Sequence, residues 1–160
     1  MCQNKNALLK GEDVISETLF SSRSEDWATP QGLFDKLDRF FDFQLDVCAS
    51  KDNHKCHQYF SIQEDGLSQK WSSYKRIWMN PPYGKGIEKW MQKAYCEAQE
   101  GAIIVCLVPA RTDTRWWHNW VNGKAHVHFI KGRLKYGNAK RSAPFPSAII
   151  VYGIDINAML

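Results

Sequence analysis

Seven consecutive residues, Ala102 to Val108, are apolar, and Pro109 closes the run. A strand with one wet face alternates apolar and polar side chains. A run with no polar side must be covered on both faces, as in a sheet packed between helices. It is far shorter than the ~20 residues a membrane span needs. Just upstream, Ile87, Trp90, Met91, Ala94, Tyr95 and Ala98 recur at helical spacing, and Gly101 is a natural stop. A helix feeding a doubly buried strand predicts an α/β domain.

The rest of the chain extends this pattern. Thr29-Pro30 reads as a helix start, with Thr29 as N-cap and Pro30 at the first helical position, and Leu33, Phe34, Leu37 and Phe41 form one apolar face. Residues 43–49 and 75–79 read as strands. The segment from Ser50 to Ser73 is polar and irregular, with an apolar anchor at Tyr59-Phe60. A short helix capped by Thr112 or Asp113 carries Trp116, Trp117, Trp120 and Val121, which are assigned to packing. Residues 126–130 and 147–152 read as two last strands, separated by an excursion from Lys131 to Pro146. Residues 1–24 are polar and mixed in charge, and are expected to form a flexible arm ahead of a single domain over 25–160. They carry no apolar leader segment, so a cytosolic setting is the default expectation.

Length and composition fit one domain: 160 residues at 44% hydrophobic and 13% aromatic can bury a sizeable core. Five cysteines without a Cys-x-x-Cys pair argue against a disulfide framework and a zinc ribbon, and Cys48 and Cys106 are expected to be buried thiols. In His54-Lys55-Cys56-His57, three potential ligands within four residues cannot comfortably share one ion, and no metal is expected. Charge is unevenly distributed. Arg111 to Arg141 holds eight Lys/Arg and one acid, while the first 110 residues hold 13 Lys/Arg and 15 Asp/Glu. That asymmetry fits a polyanion-facing surface or, equally, a solvated basic face.

The strand at 75–79 runs into Asn80-Pro81-Pro82-Tyr83, and two prolines must end it. In open α/β sheets, ligands bind beyond the carboxyl ends of strands. The tetrapeptide can serve simply as a rigid loop. It also suits one chemical task. An aromatic amino nitrogen is a poor nucleophile because its lone pair is delocalised. Two fixed acceptors, the Asn80 side-chain oxygen and the Pro81 carbonyl, take both amino hydrogens and favour a tetrahedral nitrogen. Tyr83 offers an aromatic face on which a base can stack, worth about 1–3 kcal/mol in single-stranded systems, and a base in a duplex must first be extruded.

Asn80-Pro81-Pro82-Tyr83 resembles the catalytic motif of the amino-methyltransferases. Further blocks in order are similar to the small phage-type, Dam-like DNA N6-adenine methyltransferases. These are Trp27-Ala28-Thr29-Pro30, Leu45 to Ser50, Asp65-Gly66-Leu67, Val108 to Trp116, Gly132 to Tyr136 and Ser142 to Ser147. The resemblance covers about Asp26 to Gly153. It implies a compact Rossmann-like three-layer fold, mostly parallel with a C-terminal antiparallel hairpin, using S-adenosylmethionine to methylate DNA in a bacterial or phage-infected cytosol. By the same resemblance, Trp27, Thr29, Pro30, Asp46, Ala49 and Asp65 are cofactor contacts, although Asp65 reads equally well as a solvated loop acid. Tyr136 or Phe145 adds a second wall to the base pocket. Arg111, Arg115, Arg133, Lys135, Tyr136, Lys140 and Arg141 are candidates for nucleic-acid contact.

Two departures from the family pattern matter. Cys48-Ala49-Ser50 stands where a glycine-rich turn is usual, and about 34 residues from Asp46 to Asn80 leave little room for two more strand–helix units. No separate target-recognition domain is evident, which leaves that task to the Lys131–Pro146 excursion. Similar tetrapeptides occur in enzymes acting on RNA guanine or protein glutamine, and an inactive DNA-binding module on the same fold is a further reading.

Overall fold

The structure is a computed structural model that describes residues 27–155, so the arm expected over 1–24 lies outside the described residues. The elements are α1 (Gln31–Phe41), β1 (Leu45–Asp46), β2 (Arg76–Met79), α2 (Ile87–Gln99), β3 (Ile103–Pro109), α3 (Arg115–Trp120), β4 (His126–Phe129) and β5 (Ser147–Tyr152). The protein is α/β, with one open, mixed sheet in the order β1-β2-β3-β5-β4. β1 pairs parallel to β2 and β2 to β3, while β5 lies antiparallel between β3 and β4.

The apolar run becomes β3, in the middle of the sheet, with Ile104 to Val108 fully buried. α2 turns Ile87, Trp90, Met91, Ala94 and Ala98 inward and packs against β3, β5 and α3. Gly101 ends it at φ +96°, a backbone state that disfavours side chains with a Cβ. On the other flank, Phe34 of α1 meets Trp78 of β2 edge to face at 5.5 Å.

Three boundaries differ from the sequence reading. Pro30, not Thr29, is the N-cap of α1: its carbonyl accepts from Leu33 and Phe34, while the Thr29 hydroxyl accepts from Asn80 instead. The first strand is cut to Leu45–Asp46 because the chain turns just beyond, with the Cys48 amide donating to the Asp46 side chain. α3 starts after Thr114, whose hydroxyl donates to the Arg111 carbonyl and makes no cap, and it stops at Trp120.

The irregular 50–73 segment does place its apolar anchor. Tyr59 bridges to Asp46 along the outer edge of β1, held by Asp46 N–H to the Gln58 carbonyl and Phe60 N–H to the Asp46 carbonyl. Gly66 sits so close to the Val47 carbonyl that a Cβ would collide with it. The end of the segment is pinned by Glu97 of α2, a buried carboxylate that accepts from the Trp71 and Ser72 amides at 3.1 and 2.7 Å and from Lys93 at 2.9 Å. Burial opposes its charge, but Lys93 and the two amides outweigh that and hold its carboxyl below the usual range. Charge-assisted bonds to buried donors are worth about 1.5–3 kcal/mol. Glu97→Ala is expected to lower unfolding free energy by about 2–3 kcal/mol in urea titrations; a loss under about 0.5 kcal/mol would show that water replaces the carboxylate.

Candidate active site

Three strands end at the same edge of the sheet: β1 at Asp46, β2 at Met79 just before Asn80, and β3 at Pro109. β5 begins there, with Ser147 paired to Pro109. The excursion between β4 and β5 therefore returns to this edge. It is tied down by the Gly137 amide donating to the Ala28 carbonyl at 2.8 Å.

The Asn80 side chain is fixed from both ends. Its Nδ2 donates to the Trp27 carbonyl at 2.9 Å and to the Thr29 hydroxyl at 3.0 Å. A backbone carbonyl only accepts, so the nitrogen must face Trp27 and Oδ1 must face away. Oδ1 accepts the Tyr83 hydroxyl at 2.7 Å, and an amide oxygen has room for one further donor. Tyr83 is 8% exposed, and its hydroxyl also lies 3.2 Å from the Leu107 carbonyl and 3.3 Å from the Tyr136 hydroxyl. Burial, reinforced by Tyr136, pushes its ionisation well above the usual tyrosine range, so it remains a neutral donor.

Four rings cluster over this point. Trp27 and Phe145 lie 4.8 Å apart, and Tyr83 is 5.7 Å from Phe145 and 6.0 Å from Tyr136, mostly edge to face. Trp27 and Phe145 keep partial exposure, whereas Tyr136 is 1% exposed.

Beside the cluster, a small cleft opens to solvent and brings together Thr29, Asp46 and Asn80 from the sequence reading. It adds Ala28, Cys48, Asn53, Lys55 and Trp78, which sequence reasoning did not select. Asp46 is 2% exposed and accepts from the Lys55 amide at 3.0 Å and the Cys48 amide at 3.3 Å. Burial raises its carboxyl to about 6, with those two bonds and the charges of His54 and Lys55 pulling the other way. At neutral pH it is an anion. The Lys55 ammonium donates to the Gln31 side chain at 2.7 Å, and burial lowers its ionisation. The Trp78 indole nitrogen is buried with no hydrogen-bond partner. Cys48, expected to be buried, is instead half-buried at the cleft, and its thiol is pushed up by burial and by Asp46, so it stays protonated.

Other predicted residues lie around this centre. Trp27 contributes its carbonyl and ring, and Pro30 begins α1. Ala49 is half-buried, with its amide on the Phe60 carbonyl, and is outside the cleft lining. Asp65 is exposed at a left-handed turn residue, φ +52°, and also does not line the cleft. Arg111, Arg133, Lys135, Lys140 and Arg141 are exposed, and Arg115 is exposed but paired with Glu88 at 2.8 Å. Among the described residues, no group of three His, Cys, Asp or Glu side chains is placed to hold a metal, and no helix is long and apolar enough to cross a membrane.

A DNA N-6-adenine-methyltransferase of Escherichia phage T1 is 28% identical over 109 residues, covering 68% of this chain and 45% of the relative. A DNA N-6-adenine-methyltransferase of Haemophilus phage HP1 is 27% identical over 115 residues, covering 70% of this chain and 66% of the relative. The chain thus spans under half of the first relative and about two-thirds of the second. The family model described as DNA N-6-adenine-methyltransferase (Dam) matches residues 16–149, taking in the strand-end tetrapeptide, the cleft and the basic excursion, and the chain belongs to that family.

Proposed function

We propose that this chain is a DNA adenine-N6 methyltransferase that uses S-adenosylmethionine and acts on an adenine extruded from DNA, in a bacterial or phage-infected cytosol. The observation that carries the reading is the fixed amide of Asn80 at the end of β2, with one acceptor position on Oδ1 still open beside a polar cleft. Oδ1 and the Pro81 carbonyl accept the two amino hydrogens of the target base, so its lone pair is freed for attack. No acceptor has to reorient during reaction, because Trp27, Thr29 and Tyr83 have set the amide beforehand. Phe145 and Trp27, the partly exposed rings, together with Tyr83, form the aromatic surroundings of the base.

The cleft suits the cofactor. It carries a buried anion (Asp46), a cation (Lys55) and a buried indole N–H without a partner. Asp46 would hold the ammonium of the amino-acid end and Lys55 its carboxylate, with Thr29 at the cleft wall. When bound, S-adenosylmethionine supplies a methyl group activated by its sulfonium. Ala49, Pro30 and Asp65 remain candidates for the outer part of the cofactor. The fold is read as a compact Rossmann-like methyltransferase domain. Residues 47–75, between β1 and β2, contain no helix and add only the Tyr59 bridge to the sheet.

Arg111, Arg115, Arg133, Lys135, Lys140 and Arg141 are proposed to neutralise DNA phosphates around the site. Removing Lys140 and Arg141 together is expected to weaken binding to any DNA sequence alike and to lower the slope of log K against log salt by about 2. An unchanged slope would assign these charges to solvent.

The direct test is transfer of labelled methyl from S-adenosylmethionine to DNA, with the modified nucleoside identified. N6-methyladenine is the expected product. Cofactor binding without DNA methylation would redirect the assignment to RNA or protein glutamine. Failure to bind cofactor would leave an inactive DNA-binding module.

A further inference from the structure

We propose that Thr29 is a positioning residue that couples the two halves of the site, its hydroxyl passing occupancy of the cofactor cleft on to the Asn80 acceptor. The inference rests on the roles proposed above for Asn80 and for the cleft. Thr29 is 5% exposed and lines the cleft together with Asn80. Threonine before proline at a helix start commonly uses its hydroxyl as a cap, but Pro30 holds the N-cap position here and α1 has no side-chain cap. The Thr29 hydroxyl instead accepts from Asn80 Nδ2 at 3.0 Å.

The proton count makes this hydroxyl a link. Nδ2 carries two hydrogens, and the Trp27 carbonyl and the Thr29 hydroxyl take one each. Asn80 therefore has no hydrogen left for a ligand in the cleft. Oγ1 accepts in its contact with Asn80, so its own proton points elsewhere, and among the described residues no acceptor takes it. The cofactor carboxylate, drawn to Lys55 in the same cleft, is the acceptor assigned to it. The bonds then run in one direction, from Nδ2 through the Thr29 hydroxyl to the carboxylate. A hydroxyl that donates to an anion is a better acceptor in turn, so the bond from Nδ2 tightens. Polarising Nδ2 shifts charge within the amide toward Oδ1, the atom that accepts an amino hydrogen of the target base. With the cleft empty, Asn80 keeps its place but lacks that reinforcement. The coupling is reciprocal, so losing the Thr29 hydroxyl must also weaken the cofactor.

The test compares wild type, Thr29→Val and Thr29→Ser in the full chain, with and without saturating S-adenosylhomocysteine, the demethylated form of the cofactor. Valine keeps the branched shape and removes the hydroxyl, whereas serine keeps the hydroxyl. In wild type, hydrogen exchange of the Asn80 side-chain amide, followed by NMR on 15N-labelled protein, should slow at least about threefold when S-adenosylhomocysteine binds. Thr29→Val should show no such slowing, and Thr29→Ser should restore it. Affinity for S-adenosylhomocysteine, read by tryptophan fluorescence, should fall about tenfold in Thr29→Val, the size of one hydrogen bond to a charged group. At saturating cofactor, kcat for DNA methylation should still be lower by about five- to tenfold in Thr29→Val, with KM for DNA within about twofold. Should valine prevent folding, Thr29→Ala takes its place. Equal slowing in Thr29→Val, no slowing in a wild type that binds, or unchanged affinity in Thr29→Val would each overturn the proposal. A wild type that binds S-adenosylhomocysteine but methylates no DNA would remove the reading of Asn80 as a base acceptor, while the exchange rates would still decide whether Thr29 couples it to the cleft. Failure of wild type to bind S-adenosylhomocysteine at all would overturn the cofactor reading and the coupling with it.

Discussion

Asn80→Ala is expected to cut the single-turnover rate of methyl transfer to DNA by about 10²–10³-fold, the usual cost of deleting one preorganised polar group at a reacting centre. Affinity for DNA should change little, because phosphate contacts carry most of it. The substitution also strands the Trp27 carbonyl and the Thr29 hydroxyl, which lose their donor. Unfolding free energy should therefore drop by about 1–3 kcal/mol as well. Rate and stability must be measured on the same preparation, with the rate taken well below the melting transition. A folded Asn80→Ala protein that retains a tenth or more of the wild-type rate would mean that the acceptor lies elsewhere, with the Pro81 carbonyl the first group to consider.

Asn80 was legible in the sequence for a local reason. A strand ended by two prolines marks its own last residue, and the position beyond a parallel strand is where ligands meet α/β sheets. β3, α2 and β5 were legible for the same kind of reason, since each is specified by its own periodicity and its flanking glycine or proline. What was not legible depends on contacts between distant segments. Thr29 reads as a cap because threonine before proline commonly caps helices, yet its hydroxyl serves a side chain 51 positions away. Lys55 and Asn53 lie in a polar loop with no pattern of its own. They reach the cleft because Tyr59 pairs with Asp46 and folds that loop back along β1. Tyr136 sits in a basic stretch and invites assignment to a DNA surface, but its ring is turned fully inward. Ser147 has no periodicity that marks it as buried; it meets the Tyr136 hydroxyl only because β5 is laid beside β3.

Asp46→Asn is expected to weaken S-adenosylmethionine binding by about 10–100-fold, the range of one charge-assisted hydrogen bond, while removing a pH dependence from folding. The buried carboxyl has its ionisation raised from 3.8 to about 6. Between those values the folded protein holds a proton that the unfolded chain has released, so this group's contribution is fully present below about pH 4 and is lost as pH rises through about 6. The shift corresponds to a loss on the order of 3 kcal/mol by neutral pH. Asparagine does not titrate, so the difference in unfolding free energy between wild type and Asp46→Asn should move by about that amount between pH 4 and pH 7.5, with wild type losing ground as pH rises. Cofactor affinity should have the opposite dependence. The anion is the form that attracts an ammonium, so wild-type affinity should fall as pH drops below about 6 and Asp46→Asn should show no such step. Titration by tryptophan fluorescence and urea unfolding across the same pH series read both trends. Burying a carboxylate that disfavours folding at neutral pH makes physical sense where a bound cation compensates for it. If the variant bound cofactor as tightly as wild type, Asp46 would instead be an organiser of the 48–55 turn, through the Cys48 and Lys55 amides that it accepts.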